Sequence, residues 1–525
     1  MKRKYIGLLS IVITSLLGLL CPNNLVADQG DIVNCSIPFN ISNSDSYLSL
    51  DPFLLNDPAG RVHLFWGEKL PGTSGQIPDT IMYAVWDGET WSEPNDIFLS
   101  PQEYVNRRIQ SQRAVLDDNG IIHLMWTGPD DTLYYSSANA DKANVASAWR
   151  DPIQLADDHE GSQYGFDLVY EPPQTVHVVF SRGKDQRNFI RSIAYVRSDD
   201  GGYSWSAPID LRMIPDTKRG ASNVRVLRNE SNIYATWTEW DETGNGQAIY
   251  FIRSLDSGNS WDYPVLLDRT NEGDYERDWT NPMILGEDQL IVMWEGGYRA
   301  YAQAQYSDDN GATWSDPIDT FPWLIADNGF ASMLWDNSGQ LHAFLVRRIR
   351  EGSGDVCVFP GCNFDGEEGT NTLWHSIWEG DQQWREPQPV GNFGATIGSG
   401  TYQSIGINFS PVAFVNGNQF VTAWFGFNEG EIYVMHCDLE GVSSVTPQPW
   451  PTQIPSPITE IQPTASPVSD STSIMQESKQ NVSLDSALPP SSDISYNPGY
   501  PIWAGFLSSL LIIVIVIIIK QLRNN

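Results

Sequence analysis

The chain has 525 residues, of which 41% are hydrophobic, 12% aromatic and only 18% charged, and this composition excludes disorder over most of its length. Lys and Arg number 31 against 65 Asp and Glu, a formal net charge of −34. A surface so acidic repels phosphate backbones, which sets nucleic acid aside as a partner. With 43 Gly, 33 Pro and 20 Trp, the chain reads as an all-β protein of many short strands and turns.

In chain order, Lys2, Arg3 and Lys4 precede an apolar run over 6–20, the layout of a secretory signal peptide. Leu25, Val26 and Ala27 offer a cleavage site, so residues 1–27 are expected to be removed. A lipid anchor on Cys21 is the rival, but Leu19 and Leu20 lack the small side chain such a site needs.

The folded segment, 28–441, repeats itself. W-x-x-P begins at Trp91, Trp149, Trp205, Trp261, Trp314 and Trp384, with spacings of 58, 56, 56, 53 and 70 residues. Each copy follows an aromatic-rich strand, a second strand ending in Trp or a bulky equivalent, and a turn rich in Asp, Asn and Gly. Four short strands per unit of this length predict a β-propeller of four-stranded blades. His63, His123 and His342 share one repeat position, which predicts strand packing rather than a metal site.

After the sixth unit come three further strands and no W-x-x-P. The missing strand stands at the other end of the chain, where Cys35 opens C-x-x-P one period (56 residues) before Trp91. The mature N-terminus is therefore expected to complete a seventh blade, with a Cys35–Cys437 disulfide closing the ring in an oxidising compartment. A six-bladed ring is the alternative, and it gives Cys35 no partner. Cys357 and Cys362 are expected to close a small loop inside the long insertion of the sixth unit.

Residues 442–500 form the next segment. Eleven of the 33 prolines fall between Thr446 and Pro501, interleaved with Ser, Thr and Gln, which predicts a disordered stalk. Residues 501–520 follow, with an uncharged apolar run over 502–519 that is about 27 Å long as a helix and enough to cross a bilayer. Lys520 and Arg523 place the tail, 521–525, in the cytoplasm and the propeller outside the cell membrane.

Three units carry a tighter motif, S-x-D-x-G-x-x-W, at 198–205, 254–261 and 307–314. It resembles the Asp-box (BNR repeat) of sialidase-like β-propellers. Asp200, Asp256 and Asp309 are expected to accept hydrogen bonds from their own turns, and Trp205, Trp261 and Trp314 to pack the hairpins. These carboxylates lie on turns between the third and fourth strands, opposite the face that gathers the longer loops, and are expected to be structural.

Sialidases of this fold grip a sugar carboxylate with three Arg, activate a Tyr nucleophile with a Glu and use an Asp as acid/base. The resemblance implies a clamp drawn from Arg108, Arg113, Arg219 and Arg277, with Tyr402 as nucleophile and Glu239 and Asp278 beside it. The chain lacks the F-R-I-P segment by which those enzymes present their first Arg. Two functions therefore stay open: an exo-glycosidase acting on extracellular sialylated or related glycans, or a catalytically inactive propeller that binds glycans or proteins at the cell surface. Solvated or blade-bridging charge is the plainer role for each named Arg and carboxylate. No cofactor is implied, and no metal-ligand spacing stands out.

Overall fold

The computed structural model describes residues 32–44, 48–71, 78–101, 108–156, 165–185, 189–218, 220–270, 276–296, 301–322, 324, 327–336, 338–348, 371–390, 412–426, 430–439 and 446. Tyr402, Arg219, Cys357, Cys362, the signal segment, the stalk from 447 onward and the 501–520 segment lie outside these. Among the described residues no helix is long and apolar enough to cross a membrane.

Seven antiparallel sheets form, each a meander whose strands are lettered A to D here in sheet order. Blade 1 runs Ser49–Asn56, Val62–Glu68, Thr80–Trp86 and Asn95–Leu99; blade 4 runs Gly220–Asn229, Asn232–Trp240, Gly246–Ser254 and Val265–Arg269. Blade 5 begins with Asp278–Ile284 and Leu290–Gly296. The B strands are buried on both faces, which is why they read as nearly continuous apolar runs.

The core is distributed around the ring. Seven apolar clusters form, and each lies between two neighbouring blades, the last joining blade 7 to blade 1. The large indoles of Trp66, Trp237, Trp294 and Trp424 stand at one position of their B strands and are fully buried. A blade cannot bury its faces alone, and four of the seven present a fully buried indole to a neighbour at this position.

Blade 7 confirms the expected closure. Its strands Val412–Val415, Gln419–Gly426 and Glu431–Leu439 receive Ile32–Cys35 and Phe39–Asn40 from the N-terminus as their outer edge. Cys35 and Cys437 are direct cross-strand partners, bridged by a disulfide between residues 402 apart. The ring has seven blades, and the six-bladed alternative falls.

The three Asp-box turns behave as structural devices. In the first, Oδ1 of Asp200 accepts from the amides of Tyr203 and Ser204 at 2.9 and 2.8 Å, and Oδ2 accepts from the Ser204 hydroxyl at 2.6 Å. These bonds hold the carboxyls of Asp200 and Asp309 down at about 2, and that of Asp256 below its usual range. Trp205, Trp261 and Trp314 each meet an aromatic ring of the preceding blade edge-on: Tyr135, Tyr195 and Phe251, at 5.0, 5.0 and 4.9 Å. The turn therefore staples two blades and not merely its own hairpin.

Gly258 shows how tightly. Its φ is +76° and an added Cβ would stand 2.0 Å from the Tyr195 hydroxyl, whereas a Cβ at Gly201 (φ +70°) would meet open space. Gly258→Ala is expected to cost about 3 kcal/mol and Gly201→Ala about 1 kcal/mol. Comparing denaturant midpoints of the two variants checks this; equal losses would remove the stapling role.

The repeat histidines are packing residues, as expected. His63 bonds Tyr83 at 2.6 Å and Asp57 at 3.2 Å, both on its own blade. His123 and His342 repeat the arrangement with Tyr135 and His375. A fourth, His177, joins them with Tyr195 and Glu171. Burial pushes His63 and His177 below the usual imidazole range, so they act as neutral bridges.

Candidate functional site

Five A strands carry an irregularity near their first residues; one lies between Asp327 and Phe330, and the other four share one form. The pairing register jumps between Leu50 and Phe53, Gln110 and Arg113, Ser222 and Arg225, and Asp278 and Asn281. Within each jump one non-glycine residue is left-handed: Asp51, Ser111, Asn223 and Trp279, with φ of 55 to 58°. Such bulges re-aim side chains beside active sites, and left-handed backbone at a bulky residue such as Trp279 is held only where the surroundings impose it.

The bulges of blades 4 and 5 converge on Asp278. Its carboxyl is buried and accepts from Nδ2 of Asn223 and, at 2.9 Å, from the backbone amide of Trp279. Its cross-strand partner is Glu295, also buried, at the end of strand B. Burial, above all, pushes the Asp278 carboxyl up to about 7; the charges of Glu295 and Glu276 add to this, while the Trp279 amide and the Thr238 hydroxyl oppose it. A carboxyl at this value carries its proton through mildly acidic pH, the property of a general acid.

The chain approaching Asp278 is clamped onto blade 4. The Arg277 amide donates to the carbonyl of Gly246 at 3.0 Å, and a Cβ at Gly246 would stand 2.2 Å from the Arg277 carbonyl oxygen. Glycine is required for that approach. The buried Arg277 guanidinium is held by Asp268, the fourth residue of strand D.

The other predicted site residues disperse. Glu239 is buried, but its Oε1 accepts from Arg212 of the preceding blade at 2.9 Å, and that guanidinium lies over the Tyr250 ring at 4.8 Å. Arg113 and Arg225 do occupy equivalent A-strand positions. Asp167 stands at the same position of blade 3, between them, 3.9 Å from Arg225. Arg113 is buried, donates to the carbonyl of Gln112 at 2.7 Å and lies 5.5 Å from the Phe53 ring. Arg108 lies 3.7 Å from Asp131. Arg108 and Arg277 each meet a carboxylate of their own, whereas the charges of Arg113 and Arg225 both act on Asp167. Asn223 and Glu295 carry no motif; only the register jump of the folded strand singles them out.

A ring of seven four-stranded meanders with a buried, proton-holding carboxyl at one mouth defines the class: a seven-bladed β-propeller with a candidate acid/base site between blades 4 and 5. No protein-family model matches the sequence, and no curated protein does. Solved structures match in fold. The lectin BP39L from Burkholderia pseudomallei is 12% identical, over 76% of this chain and 98% of its own, with a TM-score of 0.50. An α-L-arabinanase from Penicillium chrysogenum, complexed with arabinobiose, is 15% identical over 66% of this chain and 98% of its own, with a TM-score of 0.41. The NanB sialidase from Streptococcus pneumoniae is 11% identical over 59% and 67%, with a TM-score of 0.39. The likeness to the lectin is one of fold alone; identities this low carry nothing about activity.

Proposed function

We propose that this protein is a glycan-processing propeller, exported by the 1–27 segment and held at the cell surface by the 501–520 helix, with Asp278 as its acid/base. The observation that supports this is the buried Asp278–Glu295 pair at the bulged ends of two strands, with the Asp278 carboxyl pushed up to about 7. Glycoside hydrolysis needs one protonated and one ionised carboxyl flanking the scissile bond, and burial, with the charge of Glu295 adding to it, favours the protonated form of Asp278.

The secreted fragment 28–441, offered a panel of fluorogenic sialosides, arabinosides and other exo-glycosides, is expected to turn over one of them. Asp278→Asn is expected to lower kcat by about 100-fold or more, and the rate to fall above pH 7 as the acid loses its proton. A panel with no substrate, or turnover indifferent to Asp278→Asn, removes the enzymatic role.

A second function, catalytically silent glycan or protein binding, is favoured by one observation: Arg108, Arg113 and Arg277 are each in contact with other groups of the chain. Glycan-array binding by the same fragment without turnover would select it.

A further inference from the structure

The seam between blades 7 and 1 lacks a ring that the seams following blades 2, 3 and 4 have; blade 5 has the small Ala304 at the same position. Counting from the B-strand indoles, the residue paired one step before Trp126 is Tyr135, and its equivalents are Phe251 beside Trp237 and Val434 beside Trp424. Tyr135, Tyr195 and Phe251 fill the space against the next blade's turn Trp. Val434 is too small to do so against Trp91.

What remains is a groove of about 290 Å³, on the Asp-box face and outside the mouth already described. Its floor is Trp86 stacked on His436 at 5.1 Å, and Trp91 stands beside Trp86 at 5.7 Å. Ile37 and Phe39 rim it at 89% and 57% exposure, an unusual outlay of apolar surface beside a packed aromatic floor.

We propose that this groove is occupied by the chain's own segment Pro447-Gln-Pro-Trp-Pro451, with the Trp450 indole supplying the ring that Val434 withholds. Strand C of blade 7 ends at Leu439, three residues beyond the groove-lining His436. The eight residues from there to Pro447 can span roughly 26–29 Å, while the return to His436 is only about 10 Å. Alternating prolines around a Trp favour the extended polyproline II form, which docks in aromatic-lined grooves with little ordering cost. The groove stands at the lower edge of the roughly 300–1,000 Å³ of small-molecule sites, and a lining of rings and aliphatic groups with only Ser36, Glu89 and Thr90 beside them holds a diffusing ligand weakly. A tethered segment is present at roughly millimolar effective concentration and needs no more than that.

Two experiments on the full chain test this. Trp91 replaced by the photo-crosslinker benzoylphenylalanine is expected to link to residues 447–451 of the same chain. Links only to another polypeptide, or none within that segment, overturn the proposal. Trp450→Ala changes no residue of the described strands. It is expected to speed amide exchange in peptides spanning 36–40 and 86–92 by about 10-fold. Unchanged exchange in both peptides overturns it equally.

Discussion

Replacing Cys35 and Cys437 together with serine is expected to lower the stability of the propeller by about 6 kcal/mol. The bond joins residues 402 apart, so the loop it closes contains almost the whole ring, and loop-closure entropy grows with the logarithm of that length. Most of the effect acts on the unfolded chain. A second part acts on the folded one: Ile32–Cys35 pairs only with the C strand of blade 7, and without the bridge that short edge is free to fray. Denaturant midpoints with and without reductant measure the first part. Amide exchange over 431–439 measures the second, and protection there should fall while that of blades 3 and 4 persists. A loss below about 1 kcal/mol with exchange unaltered would show that strand pairing alone holds the ring.

The second large effect concerns Asp278, and its sign is opposite. The folded-state value near 7 lies above the ordinary 3.8, so between those pH values the folded chain holds a proton that the unfolded chain has released. The contribution of this group is fully present below pH 4 and is lost as pH climbs through 7, a difference of about 4 kcal/mol. Asp278→Asn keeps an oxygen that can accept from Asn223 and Trp279 while removing the titration. The variant is therefore expected to be more stable than the wild type at pH 8 and nearly equal to it at pH 4. Paired stability curves at the two pH values check this, and a variant less stable at both would show that the carboxylate is held ionised. Gain of stability with loss of turnover is the pattern of a residue kept for function.

The blade period was legible because it is local. Each Trp, each Asp-box turn and each strand alternation answers to neighbours within one hairpin or to the identical position one unit away, and both kinds of contact recur in the sequence. Ring closure was legible for the same reason: Cys35 and Cys437 stand where the other units have Trp and Ser. The mouth is different. Glu239 has the residue type and place of a catalytic group, yet its charge is met by Arg212, 27 residues earlier and one blade back. Arg277 lies beside Asp278 in sequence but turns to Asp268 on the preceding strand D. Asp278 itself was among the candidates, but the reason for its raised proton affinity was not, since burial and the approach of Glu295 come from a bulge with no composition of its own. The small side chain at Val434 follows the same logic: a valine in a strand attracts no notice until the rings of blades 2, 3 and 4 are set beside it.

The staple between the two ends also decides how the molecule answers to tension. A pull on the chain beyond Leu439 enters at the C strand of blade 7 and would unzip it one residue at a time, but after two residues it reaches Cys437. There the load divides, part staying with blade 7 and part passing through Cys35 to the segment leading into blade 1. Two blades must then shear together rather than one peel alone, so the wheel resists force at the very point where its ends meet.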